Sequence, residues 1–172
     1  SGGTDIISCF ALSNPNLPIY KGELQCRGLG MKVQSFNSCG ESVTDKKGEL
    51  VCTQAFPSMP TGFWNDPKGK RYQSTYFDIF PGLWYHGDYI QINKYGGLII
   101  YGRSDTTLNP SGIRIGTSEI YSSVDQINDV HDSLVIGQSW ENDERIILFV
   151  KLKTGVTLTS NLITNIKNII KE

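Results

Sequence analysis

The sequence predicts a chain of α+β class: a small antiparallel β-barrel or sandwich with long connections, then a compact α+β unit. Three observations carry that expectation. The first hundred residues hold six of the seven prolines and a series of short extended runs between glycine turn signals. Helical periodicity is confined to the last third of the chain. The length of 172 residues, 38% hydrophobic and 19% charged, fits one globular domain or slightly more.

Taken in order, Tyr20 to Cys26, Met31 to Phe36, Glu49 to Cys52 and Tyr89 to Ile92 read as strands, with Gly28, Gly30, Gly40, Gly48 and Gly87 between or within them. Residues 55–80 have no clear period and are rich in Pro, Asn, Asp and Lys, so a functional or mobile loop is expected. Phe63, Trp64, Tyr76 and Trp84 are expected to pack into the barrel core or under its loops. Gly97 to Tyr101 is another strand. From Ser118 to Ile127, apolar positions 120, 121, 124 and 127 predict a helix. Thr117 or Ser118 would cap it, with Glu119 in its first turn. Val130 to Gly137 and Arg145 to Lys153 are strands. Leu162, Ile163, Ile166, Ile169 and Ile170 line a last helix capped by Thr159 or Ser160, running to Glu172. This second part, roughly 65 residues, is near the lower limit for burying its own core.

Composition also excludes function classes. With 16 basic and 17 acidic residues, the chain has no overall positive field to hold nucleic acid or an anionic membrane surface. Its longest apolar runs, 146–150 and 98–101, are too short to span a bilayer. The first residues lack the basic and apolar regions of a signal peptide. Cys9, Cys26, Cys39 and Cys52 form no C-x-x-C pair, so four free thiols in a reducing cytoplasm are expected rather than zinc or disulfides.

The densest polar segments are His86-Gly87-Asp88 and residues 102–120. A carboxylate after glycine in a turn, such as Asp88, is suited to accept two hydrogen bonds from a ribose diol. Arg103 offers forked donors to a sugar oxygen or a phosphate. A helix starting near Thr117 favours anions. The same residues also fit an ordinary Gly-Asp turn and a surface ion pair between Arg103 and Asp105. His131 fits a plain surface or core role, His86 turn packing, and Lys167 and Lys171 a solvated helix face.

The string Gly102-Arg103-x-Asp105, Asn109-x-x-Gly112-x-Arg114-Ile115-x-x-x-Glu119-Ile120 resembles the hinge motif of the adenylate-forming enzymes, the family of acyl-CoA synthetases, luciferases and peptide-synthetase adenylation domains. His86-Gly87-Asp88 resembles the family's Thr-Gly-Asp motif. Ser1-Gly2-Gly3-Thr4-Asp5 resembles its aromatic-Gly-x-Thr-Glu motif, and Gly48-Glu49-Leu50 its Gly-Glu-Leu motif. Within the family the strings are most similar to the branch that activates acetoacetate.

The resemblance implies roles residue by residue. Asp88 and Arg103 would hold the ribose of ATP. Thr4, beside Gly3, would meet the α-phosphate, and Asp5 would help hold Mg2+. Gly2 would leave room in the acyl pocket, because acetate-specific relatives carry Trp there. Ser111 and Gly112 would approach the pantetheine of CoA, and Arg114 the phosphate and CoA. Asn109 stands in the loop that re-docks after rotation about Asp105. The family's phosphate loop and catalytic lysine are not among these residues. The resemblance therefore implies a C-terminal piece with no catalytic residue of its own: residues 1–104 from the large adenylating domain and 105–172 from a truncated small domain. ATP, Mg2+, CoA and a short carboxylic acid are the implied small-molecule partners. A non-catalytic nucleotide- or protein-binding module, or a synthetase for acetate or propionate, is the alternative.

Overall fold

Two short ladders open the chain in the computed structural model, which describes residues 2–141 and 143–171. Strand β1 (Gly2–Gly3) pairs antiparallel with β2 (Ser8–Cys9), and β3 (Ala11–Leu12) with β4 (Cys26–Arg27). The strand expected from Tyr20 shrinks to β4 and one bridge between Leu24 and Leu98. A side chain takes the place of a ladder there. Gln25 accepts from the Asn14 amide at 2.9 Å and donates to the Asn14 and Leu17 carbonyls at 2.8 and 2.5 Å.

The central sheet is open and five-stranded. It is built from β5 (Val33–Phe36), β6 (Ser42–Val43), β7 (Lys47–Cys52), β8 (Trp84–Ile92) and β9 (Leu98–Arg103), in the order β6-β5-β7-β8-β9. The β5–β6, β5–β7 and β7–β8 pairs are antiparallel. β7 is buried from Gly48 to Cys52, as a central strand covered on both faces must be.

The expected loop 55–80 contains a helix, α1 (Lys70–Tyr76). Two turns are too short to show a period, but Tyr72 and Tyr76, four residues apart, share its inner face. Together with Phe56 and Phe77, these rings surround Trp84, which is 1% exposed. Phe63 packs against the same core. Trp64 does not: it is 90% exposed, against the expectation for that cluster. A fully buried aromatic of this kind stabilises by about 1.5–3 kcal/mol relative to leaving it in water.

Residues 1–100 form one unit and residues 101–172 a second. The second contains α2 (Thr117–Val124), β10 (Val130–Trp140), β11 (Asp143–Leu152) and α3 (Ser160–Lys171). β10 and β11 form one antiparallel ladder, from Val130 opposite Leu152 to Trp140 opposite Asp143. Two small cores form on it. One joins Leu108, Ile120, Val124 and Val135, the other Ile127, Leu162 and Ile166. α2 stops three residues short of the expected end, and its cap is Gly116 rather than Thr117 or Ser118. The α3 cap is as expected: Thr159 Oγ1 accepts from the Leu162 amide at 3.2 Å. All four cysteines are free, and burial pushes the Cys52 thiol up. No helix among the described residues is long and apolar enough to cross a membrane.

Candidate functional site

In the first unit, the site begins with an irregularity in β8. Tyr85 lies opposite Val51 and Tyr89 opposite Glu49, so His86, Gly87 and Asp88 together face the single residue Leu50. Gly87 takes φ 79°, a left-handed conformation that glycine adopts without a side-chain clash. His86-Gly87-Asp88 is therefore a bulge inside a strand, not the turn that a Gly-Asp pair predicts. Bulges re-aim side chains, and this one leaves Asp88 8% exposed.

Rings connect Asp88 to the motif at the start of the chain. Tyr76 stacks on Trp84 with centroids 3.7 Å apart, and its hydroxyl donates to the Asp5 carboxylate. The Trp84 indole N–H donates to His86 Nδ1 at 3.4 Å. A neutral imidazole that accepts at Nδ1 carries its proton on Nε2, and Nε2 lies 3.8 Å from the Asp88 carboxylate. Phe10 packs edge-on against His86 at 4.7 Å. Two carboxylates far apart in sequence, Asp5 and Asp88, are thus tied to one aromatic stack.

Gly2 and Gly3 have local reasons of their own. A Cβ on Gly2 would lie 2.1 Å from the Ser8 carbonyl oxygen, and one on Gly3 2.9 Å from His86. The β1–β2 pairing and the His86 ring therefore require glycine. Thr4 is exposed, and its carbonyl accepts from the Ile7 amide at 3.2 Å. Ser1, which replaces the aromatic residue of the motif, lies outside the described residues. No three His, Cys, Asp or Glu side chains among the described residues gather as a metal site. A magnesium ion beside Asp5 would take one carboxylate from this chain and its other oxygens from nucleotide phosphates and water. That is an ordinary donor set for Mg2+.

The second unit holds the remaining predicted residues on one exposed connection. Arg103 Nε and the Asp105 carboxylate are 3.3 Å apart, both well exposed. A single turn of 3-10 helix, Ser104–Thr106, follows Arg103, with the Thr106 and Thr107 hydroxyls donating to the Arg103 carbonyl. Leu108 and Ile115 then exchange backbone hydrogen bonds of 2.9 and 2.8 Å and close the loop 109–114. Within that loop Ser111 and Gly112 take φ 52° and 80°. The Ser111 amide and hydroxyl donate to Asp143 at 2.8 and 2.9 Å, and the Asn109 amide donates to Glu144 at 2.7 Å. The Glu144 amide, then the Ser111 amide and hydroxyl, hold the Asp143 carboxyl below its usual range. Arg114 is exposed on the same loop. The helix start expected to favour anions is already engaged, because Glu119 accepts from the Gly116 amide at 2.8 Å.

Sequence reasoning placed Tyr76 in the core but not at the site, and it missed Asp143 and Glu144. Tyr76 sits in a helix too short to read, and the two acids act on a loop 32 and 35 residues away.

No family model matches the chain. An acetoacetyl-coenzyme A synthetase of Rhizobium meliloti (strain 1021) is 55% identical over 171 residues, which is 99% of this chain and 26% of that protein. The solved acetoacetyl-CoA synthetase from Streptomyces lividans matches with a TM-score of 0.91 and 46% identity, over 99% of this chain and 25% of that one. The anthranilate CoA ligase AuaEII, solved in complex with anthranoyl-AMP, shares the fold over 99% of this chain and 32% of its own, with a TM-score of 0.80 at 20% identity. The chain spans about a quarter of the length of the acetoacetyl-CoA synthetases it matches.

Proposed function

We propose that this chain, a relative of the acetoacetyl-CoA synthetases within the adenylate-forming ligases, works as part of an ATP-dependent acetoacetate–CoA ligase. In that reaction the acid's carboxylate attacks the α-phosphate of ATP and expels pyrophosphate. The CoA thiol then attacks the acyl carbon of the resulting acyl-adenylate and releases AMP. The observation that carries the reading is the convergence of Asp5 and Asp88 on the Tyr76–Trp84 stack. Both residues belong to motifs that the chain shares with nucleotide-activating enzymes.

In this reading Asp88 accepts from the ribose hydroxyls, and Arg103 donates to the same sugar. Gly3 and Thr4 meet the α-phosphate. Asp5 supplies one oxygen to Mg2+, which when bound neutralises phosphate charge. Gly2 borders the acyl pocket, and Arg114 reaches phosphate or CoA. Ser111 and Gly112 line the path of pantetheine. Asp105 is the hinge between residues 1–104, a barrel-like end of the large domain, and residues 105–172. The exposed Arg103–Asp105 pair supports a hinge, since an ion pair in open water holds little against a rotation.

The test is acetoacetate-dependent ATP–pyrophosphate exchange by the full-length protein, followed by CoA-dependent AMP release. Acetate and propionate serve as competing acids. Both activities with acetoacetate are expected, and exchange with none of the three acids would end the ligase reading. The 172 residues alone should give no exchange, because the family's phosphate loop and lysine are not among them.

A further inference from the structure

We infer that Asp143 and Glu144 are positioning residues for the thioester-forming half-reaction. They hold the loop 109–112 in the shape that receives CoA. This inference rests on the ligase reading.

The geometry points to it in three ways. First, the loop supports its own tip with a single 3-10 turn, Pro110–Gly112, in which the Pro110 carbonyl accepts from the Ile113 amide at 3.0 Å. The Leu108–Ile115 pair closes its base, while Ser111 holds φ 52°, a conformation that disfavours a residue bearing a Cβ. Contacts from outside the loop add to that support at Ser111 itself. Second, the support comes from a rigid element. Asp143 and Glu144 begin β11, whose ladder with β10 runs to the far end of the strand. Third, the contacts are specific. Asp143 uses both carboxylate oxygens on one residue, taking the Ser111 amide and hydroxyl at 2.8 and 2.9 Å, and Glu144 takes the Asn109 amide at 2.7 Å. Room for the second carboxylate is made across the ladder. A Cβ on Gly137 would lie 2.6 Å from Glu144 Oε1, the oxygen that holds Asn109.

Asn109, Ser111, Asp143 and Glu144 all belong to the second unit, whereas Asp5 and Asp88 belong to the first. Loss of the clasp should therefore separate the two half-reactions. The variants are Asp143→Asn, Glu144→Gln and Gly137→Ala, made in the full-length protein. Asp143→Asn keeps the side-chain shape and removes the charge. Gly137→Ala leaves both acids in place but displaces the Glu144 carboxylate. Asp143→Asn is expected to leave acetoacetate-dependent pyrophosphate exchange within about twofold and to lower CoA turnover, or raise the KM for CoA, by about tenfold. That factor corresponds to one hydrogen bond to a charged group. Glu144→Gln and Gly137→Ala should show smaller losses of the same kind and match each other. Amide hydrogen exchange at residues 109–112 should rise in all three variants. Equal losses in both half-reactions would reduce the acids to a structural role and overturn the inference, as would unchanged CoA kinetics alongside raised amide exchange. If the unmodified protein shows no acid-dependent exchange at all, the ligase reading fails first and takes the inference with it.

Discussion

The two groups of candidate residues are held by opposite means. In the first unit, buried Asp88 and exposed Asp5 are attached to rings that cannot move without opening a core: Trp84 is 1% exposed and Tyr76 8%. In the second, Arg103, Asp105, Ser111, Gly112 and Arg114 sit on a connection held by an exposed ion pair and by carboxylates at a hairpin tip. The first arrangement suits a task that must not change shape, such as holding a nucleotide through both half-reactions. The second suits a segment that must leave one partner and meet another. Aromatic stacking exacts a fixed geometry over a large buried area, whereas exposed polar contacts exchange with water at little net cost. The contrast is open to attack from both sides.

The largest effect is expected at Asp105. Few residues absorb a domain rotation, and they do so by changing φ and ψ. Proline fixes φ near −65° and disfavours the helical region for the residue before it. Here that residue is Ser104, the first of the 3-10 turn. Asp105→Pro in the full-length protein should trap one arrangement of the two domains. If the trapped one is the adenylating arrangement, pyrophosphate exchange falls modestly and CoA-dependent turnover falls by orders of magnitude. The two half-reactions assayed separately decide it. Equal losses would mean misfolding, or no hinge at this residue, and the second region would then be as fixed as the first.

A smaller effect is expected at Asp88. Its carboxylate is nearly buried and faces the His86 ring. Losing a hydrogen bond to a charged group costs on the order of 1.5–3 kcal/mol. Asp88→Ala should therefore raise the KM for ATP by about one to two decades. The measurement is initial rate against ATP concentration, with thermal unfolding as the control for the fold. An unchanged KM would leave the rigid region with no nucleotide to hold.

How much of this was legible in sequence divides along the same line. The β7 strand, the α3 cap and the hairpin of the second unit could be read because local pattern and packing agree there. Gly102-Arg103-x-Asp105 and His86-Gly87-Asp88 could be read as motifs. What could not be read is what supports them. Tyr76 lies in a seven-residue helix inside an aperiodic stretch. The bulge at Gly87 needs a partner strand to be defined, and the strand expected from Tyr20 fails because Gln25 bonds the backbone instead. Asp143 and Glu144 follow an ordinary polar turn, and only the fold brings them to Ser111 and Asn109.

The smallest expected effect, and the one that tests the second region without a substitution, is its response to acid. The Asp143 carboxyl is held below its usual range of about 3.8 by the Glu144 amide first and then by the Ser111 amide and hydroxyl. A carboxyl depressed in the folded state stabilises it above the unfolded value, and that contribution is lost as pH falls through the folded value. The window for Asp143 therefore lies below about pH 3.8. Because Asp143 is exposed, the loss should be local, with no cooperative unfolding of its own. In the first unit the Tyr76–Trp84 stack is held by buried ring packing, with Asp5 and His86 as its titratable neighbours. Amide exchange corrected for the intrinsic effect of pH, followed from pH 5 down to pH 3, should show residues 109–112 losing protection before the near-ultraviolet signal of the Trp84 cluster changes. If the aromatic signal collapses first, or the two change together, the exposed clasp is no weaker than the buried stack. The division between a fixed and a movable region would then be wrong.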